Sequence, residues 1–356
     1  MSEPPLPGDD GHESIPLLLA RTSKPRVTIA PKAAAAPPLA GLRWGRMRTP
    51  AERFGAASLL VAAMLVLVAI FADLFASDYP IVCKVHDRLY LFPNVTHPAE
   101  LDVQKITWSL GPLVAHGPRT KDPKAALGKP GVGKEHPFGT DREGRDVFAR
   151  VVHGTRSYLV FALLAVAASI VLGAFLGALA GLFGGATDAL VSRVIESVSA
   201  FPPLVLVLGV QAAVPKPTLF TLFLAIALTR WPEIARLVRG EVILASTRDY
   251  ALAARALGAS PLRVLRRHIA PNVRGPLVVT AAMGISAVVL TEASLDFLRV
   301  GPPGGAASWG ETMSEFRDAP HAWWLLAFPG VLLVATVIAY NLLGEAVRDA
   351  LDPRAR

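Results

Sequence analysis

Two carboxylates one helical turn apart, Glu292 and Asp296, lie in an apolar stretch running from about residue 276 to 298. At i, i+4 spacing they share a helix face. An ionised group at mid-bilayer costs roughly 2.5 to 3.5 kcal/mol on insertion scales, so such residues are expected to line a polar path for a solute. Asp296 also fits a place at the outer rim of its helix. Glu196 follows Arg193 by three residues in another apolar stretch, where it either joins the same path or pairs locally near the cytoplasmic interface. A second concentration of chemistry is HPFGTDREGRD, with His136, Asp141, Glu143 and Asp146. Metal-binding and acid-base readings both want a paired pattern such as His-x-x-x-His, Glu-x-x-His or Gly-x-Ser-x-Gly, and none accompanies it. A salt-bridged structural cap is the expectation there, with no catalytic, metal or cofactor site.

Nucleotide chemistry is excluded in the same way. A phosphate cradle needs Gly-x4-Gly-Lys-Ser/Thr. Here Gly128-Lys129 and Gly133-Lys134 are followed by Pro130 and Glu135. Cys83 is the sole cysteine, which leaves no intrachain disulfide and no Cys-based zinc site.

The elements that must position these residues follow from composition. The chain has 356 residues, of which 52% are hydrophobic and only 18% charged, with mean hydropathy +0.44, more apolar surface than one aqueous core needs. Apolar stretches long enough to cross about 30 Å of hydrocarbon fall near 54–76, 157–183, 190–214, 218–236, 276–298 and 322–346. Residues 1–50 are Pro-rich with little periodic apolar content and are expected to be disordered. The first span is assigned to 51–76, an outer loop to 77–156, five further helices to 157–350, and a short tail to 351–356. The net charge of +8 resides in arginines bunched between apolar runs without aromatic interleaving, so lipid headgroups and not nucleic acid are the expected counter-charge. Basic residues of the N-terminal segment and of the fourth connection, including Arg255, Arg263 and Arg267, put both termini in the cytoplasm of a bacterial inner membrane. Within the outer loop, Pro80–Pro93 alternates like a hairpin around His86-Asp87-Arg88. Thr140 to Glu143 has capping-box spacing before a short interfacial helix bearing Val147, Phe148, Val151 and Val152 on one face. On the second span, Gly173, Gly177, Gly181 and Gly184 form a small-residue face for close helix packing. Trp231-Pro232 either kinks the fourth helix or marks its end.

The segment RDYALAARALGASPLRVLRRHIAPNVRGP, residues 248–276, reads as a helix-turn-helix. Ala251 to Leu257 are strong helix formers, Gly258 offers the left-handed residue that stops a helix, and Ser260-Pro261 are N-cap and N1 of a second. That helix places Leu262, Leu265 and Ile269 together, with Arg263, Arg266 and Arg267 away from them, before Pro271 ends it. The small residues Ala253, Ala254, Gly258 and Ala259 permit close approach by another protein.

This stretch resembles the permease signature of ABC importers: Glu-Ala-Ala, three residues, Gly, nine residues, a branched residue, any residue, Leu, Pro. Ala253, Ala254, Gly258 and Pro271 match it; Leu252, His268 and Ala270 depart from it. HPFGTDREGRDVFARVVHGTR, LTEASLDFL, ASWGETM and NLLGEAVRDALDPR are similar to the C-type subunits of dipeptide and oligopeptide permeases, so the resemblance covers about residues 54–354. SDYPIVCKVHDRLYLFP is similar to the outer loop of permeases for microcin C-like compounds.

The resemblance implies an all-α membrane protein of six transmembrane helices with the type I ABC importer fold. It implies a non-enzymatic subunit that binds no cofactor, with ATP and magnesium on partner chains. It further implies a second homologous permease, two ATPase subunits and an extracytoplasmic solute-binding protein. The coupling loop, 237–275, would dock on the ATPases through Ala253, Ala254, Arg255, Gly258, Ala259, Ser260 and Pro271. Peptides are the solute class implied, with nickel chelates and microcin C-like compounds as alternatives. A self-contained secondary transporter would need internal repeats or broken-helix sites, and no convincing repeat is visible.

Overall fold

A computed structural model describes residues 50–85, 88–97, 106–131, 135–301 and 307–351. The tail expected to be disordered at 1–50, the turn residues His86 and Asp87, and residues 352–356 therefore lie outside or at the edge of the described residues.

All six apolar stretches of the sequence are helical. Helix α1 (Pro50–Ile70) is followed by a turn and the short α2 (Ala72–Phe75). Strands β1 (Val82–Val85) and β2 (Arg88–Leu91) pair antiparallel with Cys83 opposite Tyr90, as the alternation predicts. The one-turn helix α3 (Pro93–Thr96) precedes β3 (Trp108–Leu110), which adds to the other side of β1 and gives the order β2-β1-β3. This third strand has three exposed residues and no alternation to announce it.

Helix α4 (Val147–Phe183) runs for 37 residues. The expected interfacial helix is its first part, continuous with the span. Its N-cap is Asp146, whose side chain accepts from the Ala149 amide at 2.7 Å. Thr140 does not cap it; its hydroxyl instead donates to the Ala125 carbonyl and accepts from the Gly128 amide. Gly184, at φ 63°, ends the helix in a conformation that costs a Cβ-bearing residue steric strain.

The expected third span is broken. Helices α5 (Gly185–Ser199) and α6 (Pro203–Ala213) meet at 84°. Pro202 and Pro203 have no amide hydrogen to continue the first helix, and Pro203 begins the second as N1. A short connection leads to α7 (Leu219–Ser246), started by a reciprocal capping box between Thr218 and Thr221. Helix α7 passes through Pro232 without ending, and Trp231 is buried, so the helix-end reading fails.

Helix α8 (Asp249–Ala256) and the one-turn α9 (Pro261–Val264) lead through a π turn at Leu265–Ile269 into α10 (Ala270–Phe297). A short α11 (Trp309–Glu315) and α12 (Trp324–Leu351) complete the described chain.

By length and apolar composition, three described helices can cross a membrane: α4, the run Pro261–Phe297, and α12; the bent α5–α6 pair makes a fourth if it is one span. The apolar part of α1, Phe54–Ile70, is shorter. Helix α7 carries Arg230 and Glu233 in an ion pair of 3.0 Å. Leu163, Leu164, Val171 and Phe175 on α4, and Val331, Val334 and Ile338 on α12, are exposed, as side chains facing lipid should be.

The glycine stripe shows how α4 and α7 pack. A Cβ on Gly177 would stand 2.4 Å from the Ala235 carbonyl oxygen, and one on Gly173 2.7 Å from that of Trp231. Gly181 meets the Arg239 carbonyl at 2.9 Å in the same way. The absence of side chains thus lets α7 lie against α4 at backbone contact. Gly184 meets nothing and belongs to the helix break, not to the face.

Candidate functional site

Two regions carry the chemistry, at opposite ends of α10. The first is a cavity of about 960 Å³ formed by α4, the start of α7, the end of α10 and α11. Glu292 and Asp296 both line it. Glu292 is buried, and its Oε2 has no hydrogen-bond partner among the described residues. Asp296 accepts from the Tyr158 hydroxyl at 3.0 Å and from Ser308 Oγ at 2.5 Å. Tyr158 in turn accepts from the Gly310 amide at 3.1 Å and stacks on Trp309, with ring centroids 4.7 Å apart. Trp309 donates to the Val151 carbonyl at 2.9 Å, and its indole occupies the space that a Cβ on Gly154 would take. Asp296 therefore has one oxygen, Oδ2, committed to two neighbours, while Glu292 presents an unsatisfied acceptor beside apolar and aromatic side chains. A buried polar atom without a partner costs about 1 to 3 kcal/mol. An incoming donor, ammonium or amide, would remove that cost.

The rim of the cavity is an ion network built from two segments far apart in sequence. Asp141, fully buried, accepts from the Glu143 and Arg145 amides at 2.9 Å and from Arg145 Nε at 2.6 Å. Arg145 reaches on to Glu315 at 2.9 Å, and Arg150 to Glu311 at 3.1 Å. Arg142 and Arg299 converge on Asp318 at 2.7 and 2.5 Å. Burial of Glu315 beside Asp141 pushes its carboxyl above the usual range, against the pull of the Arg142 amide and the nearby arginines. Asp318 is held below its usual range by the hydrogen bond from Arg299. HPFGTDREGRD thus forms the cap expected of it. Its partners Glu311, Glu315 and Asp318 come from α11 and the residues just after it, and Tyr158, Arg299, Ser308 and Glu315 are site residues the sequence reading did not single out. Tyr158 and Arg299 could have been flagged as polar groups bordering apolar stretches; Ser308 had only its N-cap position before the Trp309 helix.

Glu196 stands apart. It does not line the cavity; it is exposed on α5 and pairs with Arg193 at 3.3 Å, the local reading.

The second region is the elbow formed by α8, α9 and the π turn. Gly258 has φ +82°. The Ala259 amide donates to the Ala254 carbonyl at 3.0 Å and the Gly258 amide to that of Arg255 at 2.9 Å. These are the two bonds of a Schellman termination with Gly258 at C′. Ser260 is the N-cap of α9 by backbone conformation and makes no side-chain cap bond. Pro271 does not end the second helix. The π turn widens the backbone before it, with the Ala270 amide donating to Leu265, so the proline ring is accommodated and the helix continues. Val264, Ile269 and Val273 are the buried set that joins the elbow to Val238 and Val242 of α7. Leu262, expected on one face with Leu265 and Ile269, is exposed while Ile269 is buried. Leu252, Leu257 and Leu262 face outward, Leu257 at 89% exposure, with Ala253, Ala256 and Gly258 exposed between them.

Comparison with known proteins identifies the family of the chain. The family model described as binding-protein-dependent transport system inner membrane component matches residues 157–356. A putative peptide transport system permease protein of Brucella suis is 38% identical over 249 residues, which cover 69% of this chain and 83% of that protein. A probable D,D-dipeptide transport system permease protein of Escherichia coli is 37% identical over 244 residues, 68% and 81% of the two chains. An oligopeptide transport system permease protein of Bacillus subtilis is 37% identical over 224 residues, 63% and 73%. The chain belongs to the family of binding-protein-dependent transport system inner membrane components. It is a multi-pass membrane permease of an ABC importer, with the type I importer fold, and its family works with ATPase and solute-binding partners.

Proposed function

We propose that the chain conducts peptides or peptide-like solutes across the bacterial inner membrane, with the cavity at Glu292 as part of the path. The carrying observation is the buried Glu292 Oε2, unpartnered among the described residues, beside a cavity of about 960 Å³ that has aromatic and aliphatic side chains on one part of its lining and charged ones on the rest. Peptides offer what Glu292 lacks: an ammonium or amide donor next to apolar side chains. The names of the relatives, all peptide, dipeptide or oligopeptide permeases, support the same class.

In this reading the chain pairs with a second permease and binds no cofactor of its own. Two ATPase subunits hold ATP and magnesium, and a solute-binding protein delivers the ligand from outside. Both termini and the elbow face the cytoplasm, in line with the arginines of the elbow. The exposed leucines Leu252, Leu257 and Leu262 around Gly258 are the side chains offered to an ATPase. Closure of the ATPases moves the elbow, and α10, about 40 Å long at 1.5 Å per residue, carries that motion to the cavity.

The test is a mild-detergent pull-down of the chain from its native membrane, wild type beside Gly258→Asp, with peptide uptake measured in parallel. The variant should insert normally, lose ATPase subunits and lose uptake. Normal uptake by Gly258→Asp would sink the coupling assignment, and recovery of no ATPase from either form would sink the complex.

A further inference from the structure

The outer loop contains a cluster that neither the transport path nor the elbow uses. Its members are His116, Glu135 and His136, whose ligand atoms all lie within 4.8 Å of one another. The two imidazoles are neighbours, with ring centroids 4.5 Å apart. His136 Nδ1 lies 2.8 Å from Asp146 Oδ2, and the other oxygen of Asp146 caps α4. That contact holds the ring in place; with the proton on Nδ1, Nε2 is free to act as a lone-pair donor, the arrangement that orients metal-bound histidines. The backbone on either side of His116 is constrained as well. Two residues before it, Val114 exchanges backbone bonds with Phe75 and Ser77, and immediately after it the Gly117 amide donates to Asp78 at 2.7 Å. Its Nε2 is buried and has no hydrogen-bond partner among the described residues; Glu135 Oε1 is 3.7 Å away.

A buried imidazole nitrogen with no partner, beside a second imidazole already oriented by a carboxylate, is what a missing ligand atom leaves behind. We infer that His116, Glu135 and His136 bind a divalent zinc-class cation on the outer face of the protein. Two imidazole nitrogens and one carboxylate oxygen suit Zn²⁺, with Ni²⁺ and Cu²⁺ as chemical competitors, and are poor donors for Ca²⁺ or Mg²⁺. In a tetrahedral site with bonds of about 2.0 Å the ligand atoms stand roughly 3.3 Å apart, so the cluster must close by at most about 1.5 Å. Glu135, exposed on the loop, has the freedom to do so. A fourth position remains for water. The ion would tie the segment at His116 to His136, whose other ring nitrogen meets Asp146, the N-cap of α4 and the chain neighbour of Arg145 on the cavity rim.

The experiment uses the full chain purified with its partners through a tag other than polyhistidine, stripped with chelator, then titrated with Zn²⁺ against a chromogenic competitor. One equivalent should bind at micromolar concentration or tighter, and X-ray absorption should report two imidazoles on the metal. His116→Ala and Glu135→Gln should each weaken binding at least tenfold, while His321→Ala, outside the cluster, should leave it unchanged. Glu135 is exposed, so its variant reports on the site even if His116→Ala fails to fold. Absence of saturable binding to the wild type, or the same affinity in Glu135→Gln as in wild type, overturns the site.

Discussion

The cavity rim and the elbow sit on the same helix, α10, and are built in opposite ways. At the rim, the bonded charges come from segments more than 160 residues apart: Arg142 and Arg145 on one side, Glu315 and Asp318 on the other. At the elbow, Arg255, Arg263, Arg266, Arg267 and Arg274 make no ion pair with another described residue; the turn is set by backbone bonds within a few positions, and only a small apolar set packs it on α7. One region is rigid because it is cross-linked over long range. The other is shaped locally and keeps its surface free. A permease needs both, since a solute site must hold its geometry while a docking surface must offer contacts it has not already used.

The sharpest test of this difference is removal of one arginine from each. Arg145→Ala leaves Asp141 and Glu315 buried without their common counter-ion. Breaking a buried pair on one side costs about 3 to 5 kcal/mol, with the lower end expected here because Asp141 keeps its two amide donors. Arg267→Ala, exposed at the elbow, should stay within about 0.5 kcal/mol. Thermal unfolding in detergent reads both, and equal destabilisation would break the comparison.

The seam of α4 and α7 joins the two regions and gives the next largest effect. Gly177→Ala places a methyl 2.4 Å from the Ala235 carbonyl oxygen, so the helices must separate. Overpacking of this kind costs about 1 to 3 kcal/mol. Gly240→Ala, on the open side of α7, meets nothing within 4 Å and should stabilise by about 0.4 to 1 kcal/mol. If both glycines tolerate alanine alike, backbone contact along this seam is not what holds α7 in place.

Proton linkage sharpens the comparison further. Burial beside Asp141 raises the Glu315 carboxyl above its ordinary 4.5. Between the ordinary and the raised value the folded chain holds more protons at Glu315 than the unfolded chain. Its contribution to stability therefore falls as pH rises through that window. Asp318 and Glu143, whose carboxyls are lowered by Arg299 and Lys121, work the other way and lose their contribution as pH falls. Glu315→Gln should thus gain stability relative to wild type as the pH is raised from about 4.5 toward neutral. A constant difference across that range would remove Glu315 from the linkage.

These contrasts also explain what was legible in the sequence. The elbow was: Gly258 as helix stop, with Ser260 and Pro261 as helix start, is chemistry confined to a few neighbouring residues. The misreadings there were Pro271, because a π turn absorbs a proline where a regular helix would end, and Leu262, because the π turn shifts which side chains face inward. The cavity was legible only as Glu292 and Asp296 on one face. Nothing in one dimension tells that Tyr158 and Ser308 meet at Asp296, or that Asp141 to Arg145 and Glu311 to Glu315 are one network. The break between α5 and α6 was visible as Pro202-Pro203, but the overall apolar character of residues 190–214 masked it. The reading of HPFGTDREGRD held as a cap because its own carboxylates bind its own arginines, whereas the His116 neighbour of His136 lies outside the motif altogether.

The smallest expected effect on stability is the most informative about the elbow. Leu257 is 89% exposed, so replacing it with serine removes almost no buried apolar surface and should leave unfolding within about 0.5 kcal/mol of wild type. If the face of Leu252, Leu257 and Leu262 is a docking surface, the same substitution should weaken recovery of ATPase subunits and lower uptake severalfold. An apolar side chain that contributes nothing to its own fold yet matters to a partner is the signature of an interface. Leu257→Ser with unimpaired ATPase recovery and uptake would mean that the elbow's exposed leucines face lipid or solvent and that any docking runs through the backbone around Gly258 alone.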